Sequence, residues 1–146
     1  MTVPPTSLTL SRELPVPVAD GWAAWTVPAL MRRWWWPFLA DTSVDLDPRV
    51  GGSYRLESVQ AGFGACGRYR AVLPGRRLVF TWSWISDGRA EETVDEVRVD
   101  LAPVGTGCRV DLEHVLDPRL HDPEPLRQGW SETLDHLVRY AEELGR

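Results

Sequence analysis

The chain has 146 residues, a formal net charge of -5, 43% hydrophobic and 25% charged residues, and no lysine beside its arginines. That balance excludes wholesale disorder, and its acidity excludes a binder of nucleic-acid phosphates, which needs a basic face. No apolar run reaches the ~18 residues that would insert in a membrane, and the length suits a single domain, residues 1–146, whose core needs no disulfide or metal.

The elements follow in chain order. Ser7 to Leu14 alternates as a strand, with Leu8, Leu10 and Leu14 marking its apolar face. Pro15 and Pro17 end it. Asp20 is the expected N-cap of a short helix beginning at Trp22, and Pro28 the first-turn residue of a second, Ala29 to Arg33. Trp34-Trp35-Trp36-Pro37-Phe38 follows, too aromatic for an ordinary solvated loop. From Asp41 the period becomes two. Val44 and Leu46 form a short strand, and Gly51-Gly52 a turn. Tyr54, Leu56 and Ser58 share the face of the next strand, then Gly67, Tyr69, Ala71 and Leu73, and then Leu78, Phe80, Trp82 and Trp84. Val97, Val99 and Leu101 mark a further strand, and Val110, Leu112 and His114 the last. Trp130, Leu134, Leu137, Ala141 and Leu144 recur at steps of four and three, one stripe of a long helix that Asp122 starts and Gly145 ends.

This order predicts an α+β architecture. A curved antiparallel sheet of about seven strands wraps a long C-terminal helix, with two short helices after the first strand. The wrap leaves an apolar cavity between sheet and helix, closed at one end by the short helices. Its candidate lining residues are Trp36, Phe38, Tyr54, Tyr69, Phe80, Trp82, Trp84, His114, Trp130 and Leu134.

Thr26 to Pro37, with its three tryptophans, resembles the helix-to-loop signature of the SRPBCC (START-like, Bet v 1-like) superfamily. Within it, the residues are most similar to the bacterial homologues of the C-terminal domain of the heat-shock-protein-90 ATPase activator. Asp47-Pro48-Arg49-Val50-Gly51-Gly52-Ser53-Tyr54 resembles that branch's strand-turn-strand motif. Gly67-Arg68-Tyr69, Pro74 and Arg77 to Trp82 resemble its central hairpin, and Leu101-Ala102-Pro103, His114 and Gly129-Trp130 complete the likeness. The resemblance implies the helix-grip fold and a hydrophobic ligand cavity. It implies no activity, because the superfamily includes carriers, polyketide cyclases and regulators. The chain departs from the family at Trp36, where glycine is usual, which predicts a bulkier and narrower entrance.

Several patterns invite sharper readings. Gly62 to Gly67 spells GxGxxG, but Arg68 to Leu73 alternates as a strand where a dinucleotide site requires a helix. A hairpin loop is expected there instead, with no cofactor. His114, His121 and His136 include no HExxH pair, and neither cysteine has a metal-spaced partner, so no metal is expected. His121 and His136 read as solvated, as do Glu91, Glu92 and Asp95. His114 points inward by strand parity, and its ordinary reading is a core histidine bonded to a carbonyl or a tyrosine. No serine lies in GxSxG, and Arg109 beside Cys108 points to the opposite face, so no catalytic residue is named. Arg32 and Arg33 could meet an anion near the cavity, though a solvated helix end is the plainer reading. Three consecutive indoles are not expected all to face inward: at least one should be exposed or cover an opening.

The leading expectation is a small binding protein, carrier or sensor, for a hydrophobic or aromatic molecule. A co-chaperone-like or regulatory interaction module is the first alternative. A cyclase or dehydratase, with His114, Tyr69 or Tyr54 moving protons in the same cavity, is the second. The first twelve residues lack a basic start before an apolar stretch, and Cys66 and Cys108 lack CxxC spacing, so no signal peptide and a reducing cytoplasm are expected. Exposed indoles permit a homodimer, but nothing in the sequence fixes stoichiometry.

Overall fold

The computed structural model describes residues 4–145. Its elements are β1 (Thr6–Leu14), α1 (Val18–Thr26), α2 (Pro28–Met31), β2 (Ser43–Leu46), β3 (Ser53–Ser58), β4 (Phe63–Leu73), β5 (Arg77–Ser86), β6 (Arg89–Ala90), β7 (Asp95–Val104), β8 (Gly107–Leu116) and α3 (Pro123–Leu144). The sheet runs in the order β1-β8-β7-β5-β4-β3-β2, with the two-residue β6 paired to β5, and every pairing is antiparallel. This is the helix-grip arrangement that the order of elements predicts. The eighth strand is β6, too short to show a periodicity.

The sheet curls where β4 meets β5. Gly67 lies so close to β5 that a Cβ there would collide with the Thr81 carbonyl, and the pairing skips Gly67 and Arg68. Backbone groups freed from the ladder are satisfied by side chains. Tyr54 donates its hydroxyl to the Thr81 carbonyl at 2.6 Å, and the Arg68 N–H donates to the Thr81 hydroxyl oxygen at 2.9 Å. A register shift follows between Tyr69 and Ala71, and a bulge reverses the side-chain alternation. Val72 therefore packs on the core and Leu73 is exposed, correcting the expectation that Ala71 and Leu73 continue the Tyr69 face.

Two further boundaries differ from the sequence reading. Helix α1 starts at Val18, because the N–H groups of Asp20 and Gly21 bond back to the Pro17 carbonyl at 3.0 and 3.1 Å. Asp20 thus sits in the first turn rather than at the cap. The GxGxxG stretch is strand rather than hairpin loop from Phe63 onward, with only Gly62 (φ 77°) in a turn. Gly64 has no room for a Cβ against the Leu56 carbonyl, so its glycine serves close strand approach, and no helix follows it.

Helix α3 is capped by Asp122, whose carboxylate accepts the Glu124 N–H at 3.0 Å. It lays Trp130, Leu134, Leu137 and Ala141 into the sheet, while Leu144 remains exposed. Arg12 of β1 fastens the helix from the side, through Asp135 at 3.1 Å and the Ser131 hydroxyl at 2.9 Å.

Candidate functional site

The segment after α2 packs all three consecutive tryptophans inside, with exposures of 0%, 2% and 8% for Trp34, Trp35 and Trp36. Sequence reasoning missed this because it assumed a uniform backbone. The Trp34 and Trp35 N–H groups both bond to the Met31 carbonyl, continuing α2 by a turn. Trp36 then adopts φ 44°, a left-handed conformation that β-substituted residues seldom take, and this re-aims its ring inward. The Trp36 indole packs edge-on to Phe63, with centroids 4.7 Å apart.

Buried indoles occupy the interior that the sequence reading leaves open. Trp25, Trp34, Trp35, Trp82 and Trp130 form a continuous chain of edge-to-face and tilted contacts, with centroids 4.8 to 6.1 Å apart. Between them and Tyr54, Tyr69 and Phe80 only about 10 Å³ of space remains. Burial raises the Tyr54 phenol well above its usual range, and the Tyr69 phenol also.

The useful space lies beside this stack. A cleft of about 370 Å³ opens between the Trp35–Trp36 segment, Trp82 and Trp84 of β5, His121 and Asp122 before α3, and one face of α3. That face comprises Pro125, Leu126, Gly129, Trp130 and Thr133, residues at helical three-to-four spacing. Gly129 leaves open space where another residue would project, and Pro125 is compact. Tryptophans thus supply five of the walls.

Of the sequence-predicted lining residues, Trp36, Trp82, Trp84 and Trp130 border this cleft. Tyr54, Tyr69 and Phe80 border the small void. Leu134 is fully buried under the sheet, and Phe38, 68% exposed, lies outside beside His136 at a centroid distance of 6.1 Å. Trp35, His121 and Thr133 are wall residues that alternation did not single out. Trp35 sits in a non-repeating segment, and His121 in the connection before α3.

His114 is fully buried, and both ring nitrogens are engaged. The Trp130 indole N–H donates to Nδ1 at 2.9 Å, and Nε2 lies 2.9 Å from the Asp95 carboxylate. Since Nδ1 accepts, Nε2 carries the proton and donates to Asp95. Asp95 is therefore buried rather than solvated. Val97 faces His114 across β7 and β8, and Asp95 lies two residues earlier on that same face. Glu92 is exposed as expected, and Glu91 sits 3.3 Å from Nε2 of His121, both of them partly exposed. Burial raises the Cys108 thiol, with a smaller contribution from the Asp20 charge, the opposite of nucleophile activation. Arg33 stacks over the Tyr140 ring at 5.9 Å and does not border the cleft. Among the described residues no group of three or more His, Cys, Asp or Glu is placed to hold a metal ion, and no helix is long and apolar enough to cross a membrane.

The family model described as "Activator of Hsp90 ATPase homolog 1-like protein" matches residues 15–142. The chain belongs to that family. Solved structures carry the same fold across nearly the whole chain. A protein from Rhizobium leguminosarum is 21% identical over 95% of each chain, with a TM-score of 0.77. CalU16 from Micromonospora echinospora is 25% identical over 97% of this chain and 84% of its own, with a TM-score of 0.71. DynU16, a protein of the dynemicin biosynthetic locus, is 22% identical over 93% of this chain and 47% of its own, with a TM-score of 0.78. No curated protein matches the sequence.

Proposed function

We propose that residues 1–146 form a single ligand-binding domain that takes up a small hydrophobic or aromatic molecule, as a carrier or sensor, in the tryptophan-walled cleft. The observation that carries this reading is the cleft itself: about 370 Å³, five tryptophan walls and few charged groups. Pockets for small molecules have this character, a concave apolar wall with a few polar groups, and a dry apolar cavity of roughly 150 Å³ already admits benzene. Family membership and the likeness to CalU16 and DynU16 are compatible with such a role. A catalytic reading has less to stand on. His114 has both nitrogens occupied and, with Tyr54 and Tyr69, lies outside the cleft lining.

Native mass spectrometry of the purified protein, followed by tryptophan-fluorescence titration with lipophilic aromatic compounds, tests the reading. A co-purifying small molecule or saturable quenching at micromolar concentration is the expected result. An absence of bound mass together with flat titrations across the panel would overturn it in favour of an interaction module.

A further inference from the structure

Five indoles border the cleft, and the angles at which they meet define its shape. Touching pairs among Trp35, Trp36, Trp82, Trp84 and Trp130 are inclined by 45° to 85°, the steepest being Trp82 against Trp84 and the next Trp35 against Trp130 at 73°. No touching pair is parallel, so these rings do not stack as the two plates of a slot. They turn around the space as the sides of a box do, a form that suits a compact, rounded group better than a flat one. An indole carries a negative face, and among aromatic side chains it attracts a cation placed over that face most strongly.

The charges at the rim have the matching sign. Asp122 and His121 border the cleft. Glu91, tied by its N–H to the Trp84 carbonyl at 2.8 Å, lies 3.3 Å from Nε2 of His121, so a proton on that ring is met by a carboxylate. No arginine borders the space, and the chain has no lysine. Arg119, on the connection that carries His121, is held by Asp117 at 2.7 Å. The start of α3 offers an anion little: Pro123 and Pro125 have no N–H, and the Glu124 N–H is already taken by Asp122.

From this juxtaposition of a box of indoles with two rim carboxylates and no facing cation, we infer that the cleft selects organic cations with an apolar body. Quaternary and tertiary ammonium compounds belong to this class, and it is preferred over neutral hydrocarbons of the same shape and over anions. The inference rests on the cleft being a ligand site. Indole faces replace part of the water around the ammonium group, and Asp122 and Glu91 supply its counter-charge. The cation is a free molecule rather than a choline lipid headgroup, whose phosphate would come beside Asp122 with no arginine to receive it.

Calorimetric titration of the wild-type protein at pH 8 with three benzenes bearing tetrahedral heads of similar shape reads this out: phenyltrimethylammonium, tert-butylbenzene and benzenesulfonate. The hydrocarbon is by far the most hydrophobic, so an apolar cleft without charge selectivity binds it most tightly. Here phenyltrimethylammonium is expected to bind at least as tightly as tert-butylbenzene, and benzenesulfonate most weakly. Glu91→Gln and Asp122→Asn, the second of which keeps a helix cap, should each lower the cation's affinity relative to the hydrocarbon by up to about fivefold, the value of one exposed charge pair. Tighter binding of tert-butylbenzene than of the cation overturns the inference while leaving the binding function intact. Tightest binding by benzenesulfonate overturns it in favour of an anion site. No binding by any of the three overturns both readings. Phosphatidylcholine vesicles should not carry the protein down in co-sedimentation, and retention would overturn the choice of a free cation over a lipid headgroup. The wild-type comparison decides the matter even if a variant fails to fold.

Discussion

Replacing Trp130 by phenylalanine separates what an indole contributes by filling space from what it contributes by donating a proton. Trp130 is 3% exposed, and its N–H is the partner of His114 Nδ1 at 2.9 Å. Trimming an indole to a phenyl ring in a core costs about 1–2 kcal/mol, between the small and large truncations of buried side chains. The vacated Nδ1 adds about 1–3 kcal/mol as a buried acceptor without a partner. The ring cannot escape by changing tautomer, because an unprotonated Nε2 would then face the Asp95 carboxylate, lone pair to lone pair. Trp82 supplies the control: it is also nearly fully buried, but its N–H has no partner, so Trp82→Phe pays at most the volume cost. Trp130→Phe is therefore expected to lose about 1–3 kcal/mol more than Trp82→Phe. With urea slopes of about 2 kcal/mol per M for a domain of this size, the midpoints should differ by roughly 0.5–1.5 M. Urea unfolding followed by far-ultraviolet circular dichroism measures this without depending on the substituted fluorophores. Equal slopes with midpoints that coincide would refute the assignment of the hydrogen bond as the difference between the two sites.

Two other expectations follow from backbone strain and from buried phenols. At Trp36, φ 44° favours glycine, so Trp36→Gly should be more stable than Trp36→Ala by about 1 kcal/mol, the reverse of the usual order, and a more stable alanine variant in thermal unfolding would refute it. Tyr54 and Tyr69 have phenol pKa values raised by burial, so above about pH 10 the unfolded chain releases protons that the native protein keeps. Their contribution is intact below that pH and is lost above it, by up to about 1.4 kcal/mol per pH unit for each phenol. Tyr69→Phe should make the fall of the urea midpoint between about pH 10 and about pH 11.5 shallower than in wild type, and a parallel fall would refute the burial argument.

The order of strands and helices was legible because each element carries its own period. The α3 stripe from Trp130 to Ala141 and the alternation through Leu78, Phe80 and Trp82 each bury a face that the sequence marks without help from distant residues. What escaped the reading is non-local or breaks a period. The bulge after Tyr69 reverses Val72 and Leu73, and nothing in Tyr69-Arg70-Ala71-Val72 signals an extra residue. Asp95 reads as solvated from its place at a strand start, while its partner is 19 residues away. The indoles of Trp34, Trp35 and Trp36 could not be aimed from sequence, since the first two depend on α2 continuing by a turn and the third on a left-handed backbone.

The location of the cleft follows from where the tryptophans spend their volume. A sheet wrapped around a helix leaves space along the whole contact unless side chains fill it, and close-packed interiors tolerate few voids larger than a water molecule. Here the filling is uneven. Trp35, Trp25 of α1 and Trp82 of β5 border the inner void, and there the remaining space is about 10 Å³. At the start of α3 the helix presents Pro125, Gly129 and Thr133, none of which can reach across to Trp36 and Trp84. At that end a cleft of about 370 Å³ remains, sharing Trp35 and Trp82 with the inner void and adding Trp36, Trp84 and Trp130. Trp35 and Trp82 thus do both, bordering the closed inner void on one side and the cleft on the other. A change at either residue would alter both spaces, and the His114–Trp130 hydrogen bond pins the wall that α3 gives the cleft.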